Sequence, residues 1–182
     1  NECYVYALDI SENQISEYKK KYPQNESQAS SILKTNYEDN FFDYVVINGG
    51  LHHVHPYLND AMKEIIRITK QNGQIILCEP SANTFFDFFR KIWYKFDSYF
   101  EENEASVDYN RIDKKYQGII TKNYISHGGF FAYYLIYNSM IFRIPYRTKK
   151  YISKPLFAID RAIDKFPNKF FSAYSIARYT KL

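Results

Sequence analysis

The sequence predicts an α/β fold: a doubly wound, mostly parallel sheet with an antiparallel edge strand. Three observations carry that expectation. Residues 3–8, 44–48 and 74–78 are short, nearly unbroken apolar runs, the pattern of strands buried on both faces. Helix-patterned stretches alternate with them, and no two-residue hairpin turn joins them. Polar and glycine residues gather just after each run: Asp9, the segment 48–53, and Glu79. In an open α/β sheet that carboxyl edge is where ligands bind.

In order, residues 3–8 form the first strand, and Asp9 follows it. Ser11, with Gln14 three residues on, is a capping-box signal for a helix. Ile15, Tyr18 and Tyr22 supply its apolar spacing and Pro23 stops it. A weak strand falls at residues 29–34. After the strand at 44–48, Pro56 leads into a helix at 59–70 with Leu58, Ala61, Met62, Ile65 and Ile66 on one face. Arg67 and Lys70 stand in its last turn and complement the dipole, and Asn72-Gly73 ends it. Residues 74–78 are the next strand, closed by Glu79-Pro80.

After Pro80 the composition changes. Residues 1–80 hold seven basic against eleven acidic residues, net −4; residues 81–182 hold seventeen against nine, net +8. Of the 35 aromatics, 26 lie after residue 80. Residues 84–100 predict a helix with a broad aromatic face, residues 101–122 an exposed polar excursion, and Gly128-Gly129 a turn. A buried strand is expected at 130–137, a helix at 152–166 and a last strand at 171–179, the two late strands pairing antiparallel. An aromatic, basic second half also suits peripheral contact with a membrane surface.

Cys3 and Cys78 lie in apolar runs and make neither a disulfide framework nor a zinc knuckle. With no apolar run near the roughly 18 residues of a membrane span, a reducing, cytoplasmic setting is expected. A chain beginning at Asn1 is expected to be part of a longer polypeptide.

Two constellations carry chemistry. A carboxylate at the end of an early strand, Asp9, has two acceptor oxygens for ribose hydroxyls; equally, it suits an ordinary strand–helix junction. Asn48-Gly49-Gly50-Leu51-His52-His53 sets paired glycines and two imidazoles at the mouth of a cleft. A histidine there orients an acceptor or takes its proton near neutral pH. No metal is expected: adjacent histidines point to different sides, and no second ligand motif accompanies His52, His53 and His55. His127 is expected to be structural.

These residues resemble a known family. Leu8-Asp9-Ile10-Ser11, Phe42-Asp43-Tyr44-Val45-Val46, Leu51-His52-His53-Val54, Glu64-Ile65-x-Arg67, Asn72-Gly73 and Glu79-Pro80 look like the class I S-adenosylmethionine-dependent methyltransferases that act on small molecules. The likeness covers residues 3–80 well and 125–182 loosely. It implies a Rossmann-like sheet in a single domain. Residues 1–80 would be the cofactor-side core, 81–124 a variable aromatic cap, and 125–182 the carboxy-terminal strands and helix. It implies S-adenosylmethionine as cofactor, held by Asp9 at the ribose, Ile10 at the adenine, and Asn48, Gly49 and Leu51 near the methionine end. His53 first, and His52 second, would face the acceptor as candidate bases. The implied acceptor is a small apolar or aromatic molecule; no nucleic-acid partner is expected.

The chain departs from the family in three ways. Lys70-Gln71-Asn72-Gly73 replaces a Pro-Gly-Gly turn, which needs Asn72 to take positive φ. Ser30 or Ser31 stands where an adenine-contacting acid is usual. None of the six glycines forms G-x-G-x-G, so the family's first strand and its glycine loop are absent. That strand would lie between those at 3–8 and 44–48, and its lack predicts weak S-adenosylmethionine binding by these 182 residues alone. A non-catalytic, scaffold-type domain of the same fold is the alternative. A dinucleotide oxidoreductase fits Asp9 but fits the late strands and the LHH loop less well.

Overall fold

The computed structural model describes residues 3–94, 104–137, 142–163, 165 and 169–182. Among these residues six strands and five α-helices follow one another: β1 (Tyr6–Asp9), α1 (Glu12–Lys21), β2 (Glu26–Ala29), β3 (Phe42–Asn48), α2 (Leu58–Ile68), β4 (Thr69–Pro80), α3 (Phe85–Tyr94), α4 (Tyr109–Lys115), β5 (Ile120–Gly128), α5 (Tyr146–Ile163) and β6 (Tyr174–Lys181). β1 and β2 pair in parallel. A second sheet runs β3-β4-β6-β5, with β3 and β4 parallel and β6 antiparallel to both its neighbours. The antiparallel strand therefore sits one place in from the edge.

β1 and β3 belong to different sheets, as expected if a strand between them is missing. Rings join their amino ends instead of a hydrogen-bond ladder. Tyr6 of β1 meets Phe41 and Phe42 edge-on at 5.5 and 5.4 Å between centroids, and Tyr37 completes the cluster.

Local chemistry explains most boundaries. Ser11 caps α1 by accepting the N–H of Gln14, and Ile15 is buried beneath it. A short 3-10 turn at His55–Tyr57 leads into α2. α2 then buries Ala61, Met62, Ile65 and Ile68 against Val45, Ile75, Leu77 and Ala177 of the sheet. Each such aliphatic side chain contributes about 1.5–3 kcal/mol by leaving water. On the same side, α4 adds Tyr109 and Ile112, and Tyr116 follows it.

The helix at 59–70 ends two residues early. Thr69 is extended, so Lys70 lies in β4, where its ammonium pairs with Asp43 instead of the helix end. Lys181, from the last strand, takes over that task and donates to the carbonyls of Ile66 and Thr69 at 2.7 and 2.9 Å. Arg67 meanwhile forks onto Glu64 and reaches Asp39. Asn72 does adopt positive φ, 62°, in an irregularity of β4 that shifts the register between Phe42 and Tyr44.

Other expectations need correcting. The weak strand lies at Glu26–Ala29, not 29–34. The strand that pairs with the last one is Ile120–Gly128, not 130–137. The apolar run 130–137 coils, ending in a π-helical turn at Tyr133–Tyr137, because Gly129 at φ 77° turns the chain off the sheet. The polar stretch 101–122 contains a core helix, α4. β3 is not buried on both faces: Tyr44 is 65% and Val46 61% exposed, since α2 and α4 cover only the opposite face. The expected helix at 84–100 is seen to Tyr94, and its remainder lies outside the described residues.

Candidate active site

The candidate site is built where β3 and β4 end. Asn48 closes β3, and Gly49, at φ 67°, hands its N–H to the carbonyl of Cys78 at 2.9 Å. The chain then wraps around Glu79. This carboxylate is fully buried and accepts the N–H groups of Gly50 and Leu51 at 2.8 and 2.9 Å through one oxygen. Its other oxygen takes the His52 N–H at 3.4 Å and the His52 ring Nδ1 at 2.9 Å. A carboxylate only accepts, so the His52 ring donates to it from Nδ1, which leaves Nε2 as the ring atom it can offer to another group.

Tyr109 of α4 steadies the same corner. Its hydroxyl accepts the Glu79 N–H and donates to the carbonyl of Ser175 at 2.7 Å. Burial, with Glu79 close by, pushes the Tyr109 phenol well above its ordinary value.

His53 pairs through Nδ1 with Glu104 at 2.9 Å. The two imidazoles do not point to different sides: their rings lie 4.0 Å apart at 37°. Residues 51–54 form a turn, so the alternation of a strand does not apply to them. Among the described residues, His52, His53 and Glu104 each bring one potential ligand atom within 4.8 Å of the others. Both rings already hold a carboxylate through Nδ1, which serves proton transfer as well as ligation.

The Leu51 side chain is fully buried in the core and its N–H is held by Glu79, so it anchors the loop from below. Asp9 is exposed at the end of β1. Its Oδ1 accepts the Ser11 N–H at 2.8 Å, which fixes the turn into α1 and leaves Oδ2 open. Ile10, beside it, is 80% exposed. His127 donates or accepts at the Ser175 hydroxyl, 2.7 Å away, and burial followed by Lys169 and Lys122 lowers its pKa.

Glu104 and Tyr109 escaped the sequence reading. Glu104 ends an acidic run that looks solvated, and Tyr109 is one aromatic among many. The segment joining them is stitched to the site by backbone: Ala105 N–H to the His52 carbonyl at 3.1 Å, and Val107 N–H to the Pro80 carbonyl at 2.8 Å.

A mixed sheet in this order, with its polar loop at the end of β3 and an acid at the end of β1, has the Rossmann-like architecture of methyltransferases. The comparisons with known proteins agree. Residues 1–77 match the family described as a methyltransferase domain. Demethylmenaquinone methyltransferase of Bacillus mycoides (strain KBAB4) is 38% identical over 89 residues, covering 46% of this chain and 37% of that protein. The Bacillus cereus (strain B4264) protein of the same name is 37% identical over the same shares. The chain thus spans well under half the length of these relatives. Among solved structures, a putative sarcosine dimethylglycine methyltransferase from Galdieria sulphuraria superposes with a TM-score of 0.64 at 13% identity, over 98% of this chain and 69% of that one. A putative methyltransferase from Bacillus halodurans gives 0.63 at 17% identity, over 98% and 83%. N-methyltransferase NodS from Bradyrhizobium japonicum, in complex with S-adenosyl-L-homocysteine, gives 0.57 at 11%, over 98% and 66%. The fold is that of the class I S-adenosylmethionine-dependent methyltransferases, and the amino-terminal part of the chain carries their sequence pattern.

Proposed function

We propose that the chain supplies the acceptor side and the ribose-binding side of an S-adenosylmethionine-dependent methyl transfer to a small, apolar or aromatic molecule. The glycine loop that holds the rest of the donor would come from polypeptide outside these 182 residues. The observation that carries this reading is the Asn48–His53 loop, locked onto a buried Glu79, with the Nε2 of His52 unpartnered among the described residues. The names of the Bacillus relatives favour a quinone-like ring as acceptor.

The residues present fit part of the donor. Asp9 keeps Oδ2 available for ribose hydroxyls, and the exposed Ile10 offers an apolar surface for an adenine. Bound there, S-adenosylmethionine would supply a methyl group already activated on a sulfonium. The chain's own work is alignment, which is worth about 7–11 kcal/mol when complete. Where the acceptor must lose a proton, His52 takes it at Nε2, and Glu79 steadies the imidazolium through Nδ1. This ranks His52 above His53, because its partner is fully buried while His53 stands half in solvent.

The test is Asp9→Asn in the natural gene product. Asparagine keeps an oxygen for the Ser11 N–H and removes the anionic acceptor. Calorimetric titration with S-adenosylmethionine should show affinity about tenfold weaker, the scale of one charge-assisted hydrogen bond. Equal affinity of variant and parent rejects the assignment. The scaffold reading is favoured by the lack of any G-x-G-x-G; a folded gene product that leaves S-adenosylmethionine unbound would establish it.

A further inference from the structure

We propose that the cap built from α3, the Lys169–Phe171 turn and α5 docks on the surface of an anionic lipid bilayer. The first observation is the inverted polarity of α3. Two of its three charged residues face in, Asp87 at 1% and Arg90 at 4% exposed, while the third, Lys91, stands at the surface and pairs back to Asp87 at 2.8 Å. Arg90 donates to the Ser106 hydroxyl, the Tyr134 hydroxyl and the Ala173 carbonyl, and Ser106 donates to Asp87. Three of its apolar residues face out, Phe88 at 61%, Phe89 at 51% and Ile92 at 42% exposed, while Phe86 packs inward on Tyr134. Burying a charge and wetting a phenylalanine both cost free energy in water. The arrangement is favourable where the outer face meets hydrocarbon.

The patch continues beyond the helix. Phe170 and Phe171, 54% and 43% exposed, meet the ring of Phe85 at 5.7 and 5.6 Å. A contiguous aromatic surface of this kind marks an interaction site.

Charge selects the occupant. α5 holds five basic residues, Arg147, Lys149, Lys150, Lys154 and Arg161, and one acid, Asp160. That acid is buried and accepts the N–H groups of Phe131 and Ala132, each at 3.0 Å, so the helix shows solvent only positive charge. Tyr146 and Tyr151, 84% and 79% exposed, stand among those cations, as interfacial aromatics do. α5 and α3 share one cap: Lys149 donates to the Ile136 carbonyl, and Phe86 packs on Tyr134 at 4.6 Å. A basic helix beside exposed phenylalanines matches anionic headgroups over acyl chains. No helix among the described residues is long and apolar enough to cross a membrane, so the contact is one of lying on the surface.

Vesicle co-sedimentation tests this directly, with phosphatidylcholine alone and with added phosphatidylglycerol, at low and high salt. The chain should sediment with the anionic vesicles at least about tenfold more strongly than with neutral ones, and high salt should weaken it. Phe88→Ser/Phe89→Ser and Lys150→Glu/Lys154→Glu should each reduce partitioning by about tenfold or more. All four positions are exposed, and unchanged far-UV circular dichroism verifies folding. A protein that stays in the supernatant at every composition, as one whose patch meets another protein would, overturns the proposal. So does equal binding to neutral vesicles, or binding by the folded lysine variant at the parent's level.

Discussion

Replacing Glu79 with alanine should be among the most damaging single changes in the molecule, although the residue is small in area. Its carboxylate is fully buried and accepts two short backbone N–H bonds, one long one, and the His52 ring. Without it, the N–H groups of Gly50 and Leu51 lose their acceptor, and the His52 Nδ1–H faces the cavity. Breaking a buried, multiply bonded charged group costs about 3–5 kcal/mol. That is a large share of the roughly 5–15 kcal/mol that stabilises a domain. Glu79→Gln keeps the volume and one oxygen but turns an amide donor toward a donor, and should cost about 1.5–3 kcal/mol. His52→Ala removes one of the four bonds and leaves the backbone pair satisfied, at about 1–2 kcal/mol. Urea unfolding followed by far-UV circular dichroism gives the three values. The bond pattern makes Glu79→Ala the most damaging, Glu79→Gln intermediate and His52→Ala the mildest. If His52→Ala proves as costly as Glu79→Ala, the carboxylate organises the ring and not the loop, and the reasoning fails.

Two further outcomes follow from the same structure. Glu64 is nearly buried and its carboxyl is pulled down to about 2, first by Arg67 and then by Thr35 against the opposing effect of burial. A depressed carboxyl gives stability that is present above its ordinary value near 4.5 and disappears as pH falls toward 2. The gap in unfolding free energy between the parent and Glu64→Gln should therefore be about 2–3 kcal/mol near neutrality and shrink through that acid window; a gap that stays constant with pH counts against it. Lys181→Met should cost about 1–3 kcal/mol, because three acceptors on α2 and its flanks lose a cationic donor. Thermal melting measures this loss, and a melting temperature equal to the parent's refutes the capping role.

Much of the sheet was legible because its signals are local. Continuous apolarity marked β3 and the core of β4, a capping Ser11 marked α1, and the spacing of Ala61, Met62, Ile65 and Ile66 marked α2. The open join between β1 and β3 was legible once the chain was set beside the family it resembles, since no G-x-G-x-G accompanies its first strands. The candidate site was half legible. Its glycines and histidines stood together in sequence and the acid closed the next strand, but the acid's grip on three successive N–H groups depends on a turn that sequence does not specify. Glu104 lies 51 residues from His53, and nothing near it signals the contact. The late strand was misplaced for a related reason. Residues 130–137 are more apolar than Ile120–Gly128, yet β5 gains its place by pairing along β6. Ladder partners far along the chain outweigh local hydrophobicity.

α3 shows the same limit most sharply, and there it has a functional meaning. Its sequence pattern has one aromatic face and one polar face, and any local rule turns the aromatic face inward. The structure reverses it because the polar face has better partners. Asp87 and Arg90 find Ser106, Tyr134 and the Ala173 carbonyl, groups brought together by three separate segments. Burial raises the Asp87 carboxyl, but Lys91, Ser106 and the Asn83 N–H outweigh it and leave the group below its ordinary value, so the acid is held charged. A fully satisfied buried network fixes the helix in one orientation. The phenylalanines are left outside as its consequence, and a surface that water disfavours remains for a partner to cover.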